Sequence, residues 1–281
     1  SARRVRIPRE VTFVIDTSGS MEGQSMEQAR AALILALERL DEGDTFNIIE
    51  FNSVYRSLFA RPVPVTPSNR ARALGFATAL HATGGTEMLS ALVAALGTGD
   101  ASPGSEGDSR LRQVLFLTDG AVSNEDELFA AISKRLGSAR LFTVGIGSAP
   151  NTHFMSKAAA FGRGAFTYIA DVSQVQEKMS SLFARVESPA LSDIQVSFEG
   201  VAAADVEMWP ARVPDLYLGE PLTVAVRLKS VGVTSVRVKG RRAGEPFEMT
   251  APFAEVATAR GIGVLWARQK VTALQDGVIE G

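Results

Sequence analysis

The sequence predicts an α/β protein with a doubly wound, mainly parallel six-stranded sheet of Rossmann-like type and a second, smaller antiparallel β-sandwich domain. Short apolar runs alternate with segments of helical period over the first two thirds of the chain. That arrangement is typical of parallel strands covered by helices on both faces. After residue 188, apolar and polar residues alternate between turn residues, which indicates antiparallel strands. We therefore expect domains at residues 10–188, at 1–9 together with 189–260, and a C-terminal helical segment at 261–281.

The elements of the first domain follow from its apolar periodicity. Ala29, Leu33, Leu37 and Leu40 recur at steps of three or four and predict a helix. Capping boxes at Asn124 and Ser173 predict the starts of two more. We expect strands at 11–15, 45–51, 54–59, 113–117, 141–144 and 166–169, and helices at 27–40, 69–80, 89–96, 124–136, 152–161 and 173–187.

The two ends of the chain belong to the second domain. Arginines alternate with apolar residues over 1–9, which suits an exposed edge strand with a charged face. A basic patch for an anionic partner is the other interpretation. We expect strands at 194–198, 222–228 and 233–238 and a helix at 262–274, with Trp209 and Trp266 as core aromatics.

The composition of the chain limits the kinds of partner and site that we expect. The net charge is −2, which gives no reason to expect a nucleic-acid partner, and there are no cysteines for disulfides or thiol catalysis. With His81 and His153 as the two histidines, a histidine-rich metal site is not expected. No apolar run is long enough to span a membrane. The first residues, S-A-R-R-V-R, lack the apolar core of a signal peptide, and we expect the sequence to be part of a longer protein.

Oxygen-bearing side chains follow the predicted strands. Asp16, Ser18 and Ser20 come directly after the first strand, and Asp119 follows the strand 113–117. Thr86 lies in a glycine-loosened loop between two helices. The carboxyl ends of parallel strands share one edge, where such folds bind ligands. Two carboxylates and three hydroxyls suit a hard cation such as Mg²⁺, so these five residues predict a divalent-cation site.

These residues resemble the metal-ion-dependent adhesion site of von Willebrand factor type A domains. The matching stretches are D-T-S-G-S, the threonine of G-G-T-E and the aspartate of L-T-D-G. Longer stretches, such as F-V-I-D-T-S-G-S-M and A-L-H-A-T-G-G-T, resemble inter-α-trypsin inhibitor heavy chains and their bacterial relatives. The resemblance covers about residues 10–188, and E-S-P-A-L-S-D-I-Q-V resembles that family's continuation.

The resemblance implies a protein-binding function and no enzyme activity. Ser18, Ser20 and Thr86 would be hydroxyl ligands of Mg²⁺, Mn²⁺ or Ca²⁺, and Asp16 and Asp119 would act directly or through water. A partner protein would offer an Asp or Glu to the metal. The family implies an exported protein at the cell surface or outside the cell. We expect a monomer in which the site is weakly coupled to the β domain, because the last helix of the first domain leads into that domain.

Three other interpretations stay open. The hydroxyls could cap turns while the aspartates hold loops. The site could serve a Mg²⁺-dependent phosphoryl-transfer enzyme, although position 18 is Ser rather than a second Asp and no lysine precedes Lys134. The metal could also have a purely stabilising role in a structural module.

Overall fold

The computed structural model describes residues 8–97, 110–120, 124–187, 189–210, 213–217, 221–242, 245–253 and 261–280. The chain divides into two compact units. One is Arg6–Glu187, and the described part of the other begins at Pro189.

The first unit is built around a mainly parallel sheet, as predicted. Its strands are β1 (Arg9–Asp16), β2 (Thr45–Phe51), β3 (Tyr55–Ser57), β4 (Val63–Pro64), β5 (Leu111–Thr118), β6 (Arg140–Ile146) and β7 (Arg163–Ile169). Their order is β3-β2-β1-β5-β6-β7, with β4 also paired to β2. Strands β2, β1, β5, β6 and β7 are parallel, whereas β3 and β4 run antiparallel to β2. The predicted fold class is confirmed, with the short strand β4 in addition.

Six α-helices lie in the described part of this unit. They are α1 (Gln24–Glu38), α2 (Pro67–Ala79), α3 (Met88–Leu96), α4 (Glu125–Arg135), α5 (Thr152–Phe161) and α6 (Val175–Val186). Helix α1 buries Ala29, Leu33 and Leu37, three of the residues whose spacing predicted it. Strands β1 and β5 are almost fully buried. Because their sequence neighbours β2 and β6 lie on opposite sides of this central pair, the order of the strands reverses between β1 and β5.

The side chains that cap the helices differ from Asn124 and Ser173, the two that the capping boxes predicted. Thr66 caps α2, since its hydroxyl oxygen accepts from the Asn69 N–H at 3.2 Å. Asn124 makes no side-chain cap, and its side-chain amide donates instead to Glu127 Oε2 at 3.1 Å. Before α6, Asp171 accepts from the Ser173 N–H at 2.9 Å and begins a short 3₁₀ turn. Capping residues within one turn of each other compete, and the spacing alone does not decide between them.

The second unit contains antiparallel sheets, as predicted. Its elements are β8 (Pro189–Glu199), β9 (Val206–Trp209), β10 (Leu216–Tyr217), β11 (Ala225–Leu228), β12 (Ser235–Arg242), β13 (Glu245–Pro252) and α7 (Ile262–Glu280). Four strands form a sheet in the order β10-β8-β12-β13, and β11 pairs with β9. Leu191, Ile194 and Val213 form a small core against which Met208 and Phe247 pack. Side chains of both sheets therefore share one core. The strands β9, β10 and β13 were not predicted, and α7 extends beyond the expected residues 262–274.

Residues 1–9 were expected to form an exposed edge strand, and this prediction is wrong for Arg9. Arg9 begins the central strand β1 and is 1% exposed, because its guanidinium pairs with Asp44 at 2.6 Å. Residues 1–7 lie outside the described part. The interpretation of the tryptophans as core residues is also wrong, since both are only half-buried. Two cations lie over the Trp266 ring, with Arg227 Cζ at 5.5 Å and Lys270 Nζ at 5.0 Å from its centroid.

Among the described residues, no helix combines the length and the apolar character that a membrane crossing requires.

Candidate metal centre

Asp16 lies at the point where the strand order reverses. It is the last residue of β1 and is 0% exposed. Its two carboxylate oxygens have separate donors: the Ser18 N–H donates to Oδ1 at 2.8 Å, and the Thr118 hydroxyl donates to Oδ2 at 2.6 Å. The carboxylate is therefore held in one orientation by its own loop and by the neighbouring strand β5.

Two hydroxyls follow Asp16 in the same loop. The chain makes a single 3₁₀ turn at Gly19–Met21, and this turn brings Ser18 Oγ and Ser20 Oγ within 3.1 Å of each other. Ser18 is buried, whereas Ser20 is exposed. The two hydroxyl oxygens therefore lead from the buried carboxylate towards the surface.

The loop that carries Thr86 lies against this turn. The Gly19 N–H donates to the Gly84 carbonyl at 3.0 Å, and the Thr83 N–H donates to the Thr17 carbonyl at 2.7 Å. Thr86 is exposed, and its hydroxyl has no hydrogen-bond partner among the described residues. The backbone thus brings the second predicted loop to the first, with the Thr86 hydroxyl available to a ligand.

Asp119 completes the predicted set from the end of β5. It follows Thr118 directly and is half-buried, and its carbonyl accepts from the Asn151 N–H at 3.0 Å. Burial raises the pKa of Asp16 above its ordinary value. The hydrogen bonds from Ser18 and Thr118 oppose that rise, and the negative charge of Asp119 adds to it. Asp16 ends β1 and Asp119 directly follows the neighbouring strand β5, so both residues lie at the same edge of the sheet.

The donor set fits a hard divalent cation. In the described part of the chain, no Lys, Arg or His side chain forms an ion pair with Asp16. A buried carboxylate without a cation partner is costly, and a bound cation would supply the missing charge. Nowhere in the described ranges do three or more His, Cys, Asp or Glu side chains cluster as a metal site. The site has two carboxylates, so hydroxyls and water would have to complete an octahedral shell.

Sequence reasoning missed three residues that shape this edge. Thr118 orients Asp16, and its place at a strand end beside Asp119 was the available signal. Asn52 and Ser53, at the end of β2, hold the Thr86 loop. The Asn52 carbonyl accepts from the Glu87 N–H at 2.6 Å, and Ser53 Oγ accepts from the Gly85 N–H at 2.8 Å. No local pattern marked these two.

Comparison with known proteins finds relatives for most of the chain. A family model described as the von Willebrand factor type A domain matches residues 9–168. The von Willebrand factor A domain-containing protein DDB_G0292028 of Dictyostelium discoideum is 32% identical over 221 residues, covering 78% of this chain and 23% of that protein. Human inter-alpha-trypsin inhibitor heavy chain H4 is 29% identical over 247 residues, covering 84% of this chain and 26% of that protein.

A solved structure shares the fold across both units. The von Willebrand factor type A protein from Catenulispora acidiphila superposes with a TM-score of 0.67 at 20% identity, covering 91% of this chain and 68% of that one. The chain spans only about a quarter of the length of the curated relatives named above. The matched proteins therefore contain much that this sequence does not.

Proposed function

Because the chain belongs to the family of von Willebrand factor type A domains, we propose that it is a divalent-cation-dependent protein-binding and adhesion module rather than an enzyme. Domains of this family are commonly metal-dependent protein-interaction modules. The observation that carries the proposal is the buried Asp16 carboxylate, which has oriented oxygens and no cationic partner among the described residues. The proposed ligands are Asp16, Ser18, Ser20, Thr86 and Asp119.

The proposed ion is Mg²⁺, with Mn²⁺ or Ca²⁺ as alternatives. Hydroxyl ligands are neutral, and two carboxylates only balance the charge of a divalent ion, whereas a shell of four would leave the site negatively charged and would repel a further anion. A metal held in this way attracts a further anionic ligand. We propose that an Asp or Glu side chain of a partner protein is that ligand.

The rest of the proposal concerns the protein around the site. The metal-binding domain would span residues 10–188, the β-sandwich 1–9 with 189–260, and the C-terminal helical segment 261–281. The family also occurs in extracellular and surface proteins, and we propose that location here. The partner would be a protein and not a nucleic acid, and the chain would act as a monomer.

Isothermal titration calorimetry with Mg²⁺, Mn²⁺ and Ca²⁺ tests the site. The unchanged chain should bind at least one of these ions, and Asp16→Asn and Asp119→Asn should lose most of the affinity. Glu38→Gln, which alters an exposed carboxylate at the end of α1, is the matched control and should bind as the unchanged chain does. Absence of binding heat for all three ions would refute the site.

Acetate tests the proposed open position. Mn²⁺ is paramagnetic, so added acetate that coordinates the bound ion through its carboxylate should show a broadened methyl resonance in its NMR spectrum. The broadening should exceed that given by the Asp16→Asn variant at equal Mn²⁺. Binding of metal with a raised melting temperature, but with no effect on acetate, would instead support a purely stabilising metal.

A further inference from the structure

Two adjacent apolar side chains project from the turn between β2 and β3. Val54 is 69% exposed and Tyr55 is 46% exposed. Single exposed apolar residues are common on protein surfaces and need no explanation. This pair, which we call the apolar tip, differs from such single residues in two ways. Its backbone is held by hydrogen bonds, and it directly follows residues that contact the candidate metal centre.

The backbone of the apolar tip is held by hydrogen bonds on both sides of the turn. The Asn52 N–H donates to the Val54 carbonyl at 3.0 Å, and the Val54 N–H donates back to Asn52 Oδ1 at 3.3 Å. Directly afterwards, Tyr55 pairs with Phe51 in the antiparallel ladder of β2 and β3. An apolar surface that is already ordered loses little conformational entropy when a partner covers it.

The apolar tip is also attached to the loops of the candidate metal centre. Asn52 and Ser53 hold Glu87 and Gly85, on either side of Thr86, by the hydrogen bonds given above. The Asn52 side-chain amide also donates to Thr17 Oγ1 at 3.4 Å, between Asp16 and Ser18 in the chain. The two residues directly before the apolar tip therefore contact two of the three loops that carry the proposed ligands.

We infer that the apolar tip is a second contact point for the partner, next to the metal. This inference rests on the proposed function. The partner is then a protein segment that presents an Asp or Glu to the metal and a large apolar side chain, aromatic or branched aliphatic, to Val54 and Tyr55. The acid supplies the charge that the metal needs, while the apolar contact distinguishes one acidic segment from another.

The experiment uses the whole chain and a phage-displayed library of random twelve-residue peptides. Peptides are selected in Mg²⁺ and recovered with EDTA, so each recovered sequence depends on a divalent ion. The recovered sequences should share an Asp or Glu and, at a constant spacing from it, a Phe, Tyr, Trp, Leu or Ile, in a pattern that the unselected library does not show. Recovered peptides that carry an acid without such a residue would overturn the inference and leave the proposed function in place.

The affinity of the recovered peptides is then measured by fluorescence anisotropy on variants. Replacing both residues, Val54→Ser with Tyr55→Ser, should weaken binding roughly tenfold or more, because the contact would lose much of its buried apolar area. Tyr55→Phe, which keeps the ring, should retain most of the affinity. Val231→Ser is the matched control, since Val231 is 99% exposed in the second unit and should have no effect.

The possible outcomes separate the two proposals. If the double serine variant binds the peptides as tightly as the unchanged chain while Asp16→Asn does not bind them, the inference is wrong and the metal-dependent function stands. If EDTA recovers no peptide, the proposed function fails and the inference fails with it. Calorimetry with Mg²⁺ should give the same affinity for the double serine variant as for the unchanged chain.

Phosphatidylcholine vesicles test whether the apolar tip contacts lipid instead. If the vesicles bind the unchanged chain and the double serine variant loses that binding, the apolar tip is a lipid contact and the inference is overturned.

Discussion

Thr118 donates its hydroxyl hydrogen to Asp16 Oδ2 at 2.6 Å, between the last residues of two neighbouring parallel strands. The bond is buried, and the other carboxylate oxygen accepts from the Ser18 N–H. The carboxylate therefore cannot turn without breaking one of the two bonds. Its orientation is set before any ion arrives, which lowers the conformational entropy that ion binding would otherwise cost.

We expect Thr118→Val to weaken divalent-ion binding by roughly 10-fold or more, a typical effect of removing a group that orients a metal ligand. Valine has the shape of threonine without its donor, so Asp16 Oδ2 would lose its oriented hydrogen bond. The free energy of unfolding should also fall, by about 1.5–3 kcal/mol for a buried bond to a charged group. Calorimetry with Mn²⁺ and urea denaturation measure the two effects.

Thr143→Val is the control for this substitution. Thr143 is also buried in the central sheet, and its hydroxyl donates to the Met155 carbonyl at 2.8 Å. Loss of this hydroxyl should lower the free energy of unfolding without changing the affinity for Mn²⁺. Equal effects of the two substitutions on affinity would contradict a specific orienting role for Thr118.

A second prediction concerns removal of the metal. An ion that binds the folded state alone stabilises it by about 2.7 kcal/mol at a concentration of one hundred times its dissociation constant. Mg²⁺ should therefore raise the melting temperature of the first unit, and EDTA should reverse the rise. Asp119→Asn should abolish the response, as scanning calorimetry with and without Mg²⁺ would show. A rise that persists in this variant would mean that the ion binds elsewhere.

The sequence predicted the first unit well because its signals are local. Ala29, Leu33 and Leu37 face the core of one helix, and the apolar run before Asp16 forms a strand buried on both faces. Each of these patterns is complete within a few residues. The expected placement of Asp16 and Asp119 at the carboxyl ends of strands needed only the class of the sheet.

The parts that sequence reasoning missed depend on partners distant in the chain. Arg9 was expected on an exposed edge, and its burial depends on Asp44, thirty-five residues later. Asn52 and Ser53 hold the Thr86 loop across a similar separation, which no local pattern reveals. Thr118 bonds Asp16 across 102 residues. Periodicity describes which face of an element is buried, but it does not identify the polar groups that meet there.

A third prediction follows from the buried ion pair of Arg9 and Asp44. Both side chains are 1% exposed, and Asp44 Oδ1 also accepts from the Arg9 N–H at 2.9 Å. Arg9→Met should lower the free energy of unfolding by about 3–5 kcal/mol, because it leaves a buried carboxylate without its cation. Urea denaturation followed by far-ultraviolet circular dichroism measures the loss.

Two further variants test the cause of that loss. Combining Arg9→Met with Asp44→Asn removes the uncompensated charge while keeping an acceptor for the backbone, so part of the lost stability should return. Arg61→Met alters an exposed arginine and should change stability by less than about 0.5 kcal/mol. A double variant no more stable than Arg9→Met alone would show that lost packing, rather than charge, dominates.

The fourth prediction is a pH dependence of the second unit that originates at Glu199. A hydrogen bond from the Ser235 hydroxyl is the main cause that lowers the pKa of Glu199 below its ordinary value of 4.5, and the charge of Arg237 lowers it further. The folded state therefore holds this carboxyl ionised at a pH where the unfolded chain binds a proton. The resulting stabilisation is fully present above pH 4.5 and is lost as the pH falls through the lowered pKa of the folded state.

Both tryptophans of the chain, Trp209 and Trp266, lie in this unit, so tryptophan fluorescence during urea denaturation reports on it alone. Glu199→Gln and Ser235→Ala should each reduce the loss of stability between neutral and acid pH, and an unchanged acid dependence in both would exclude Glu199 as its source.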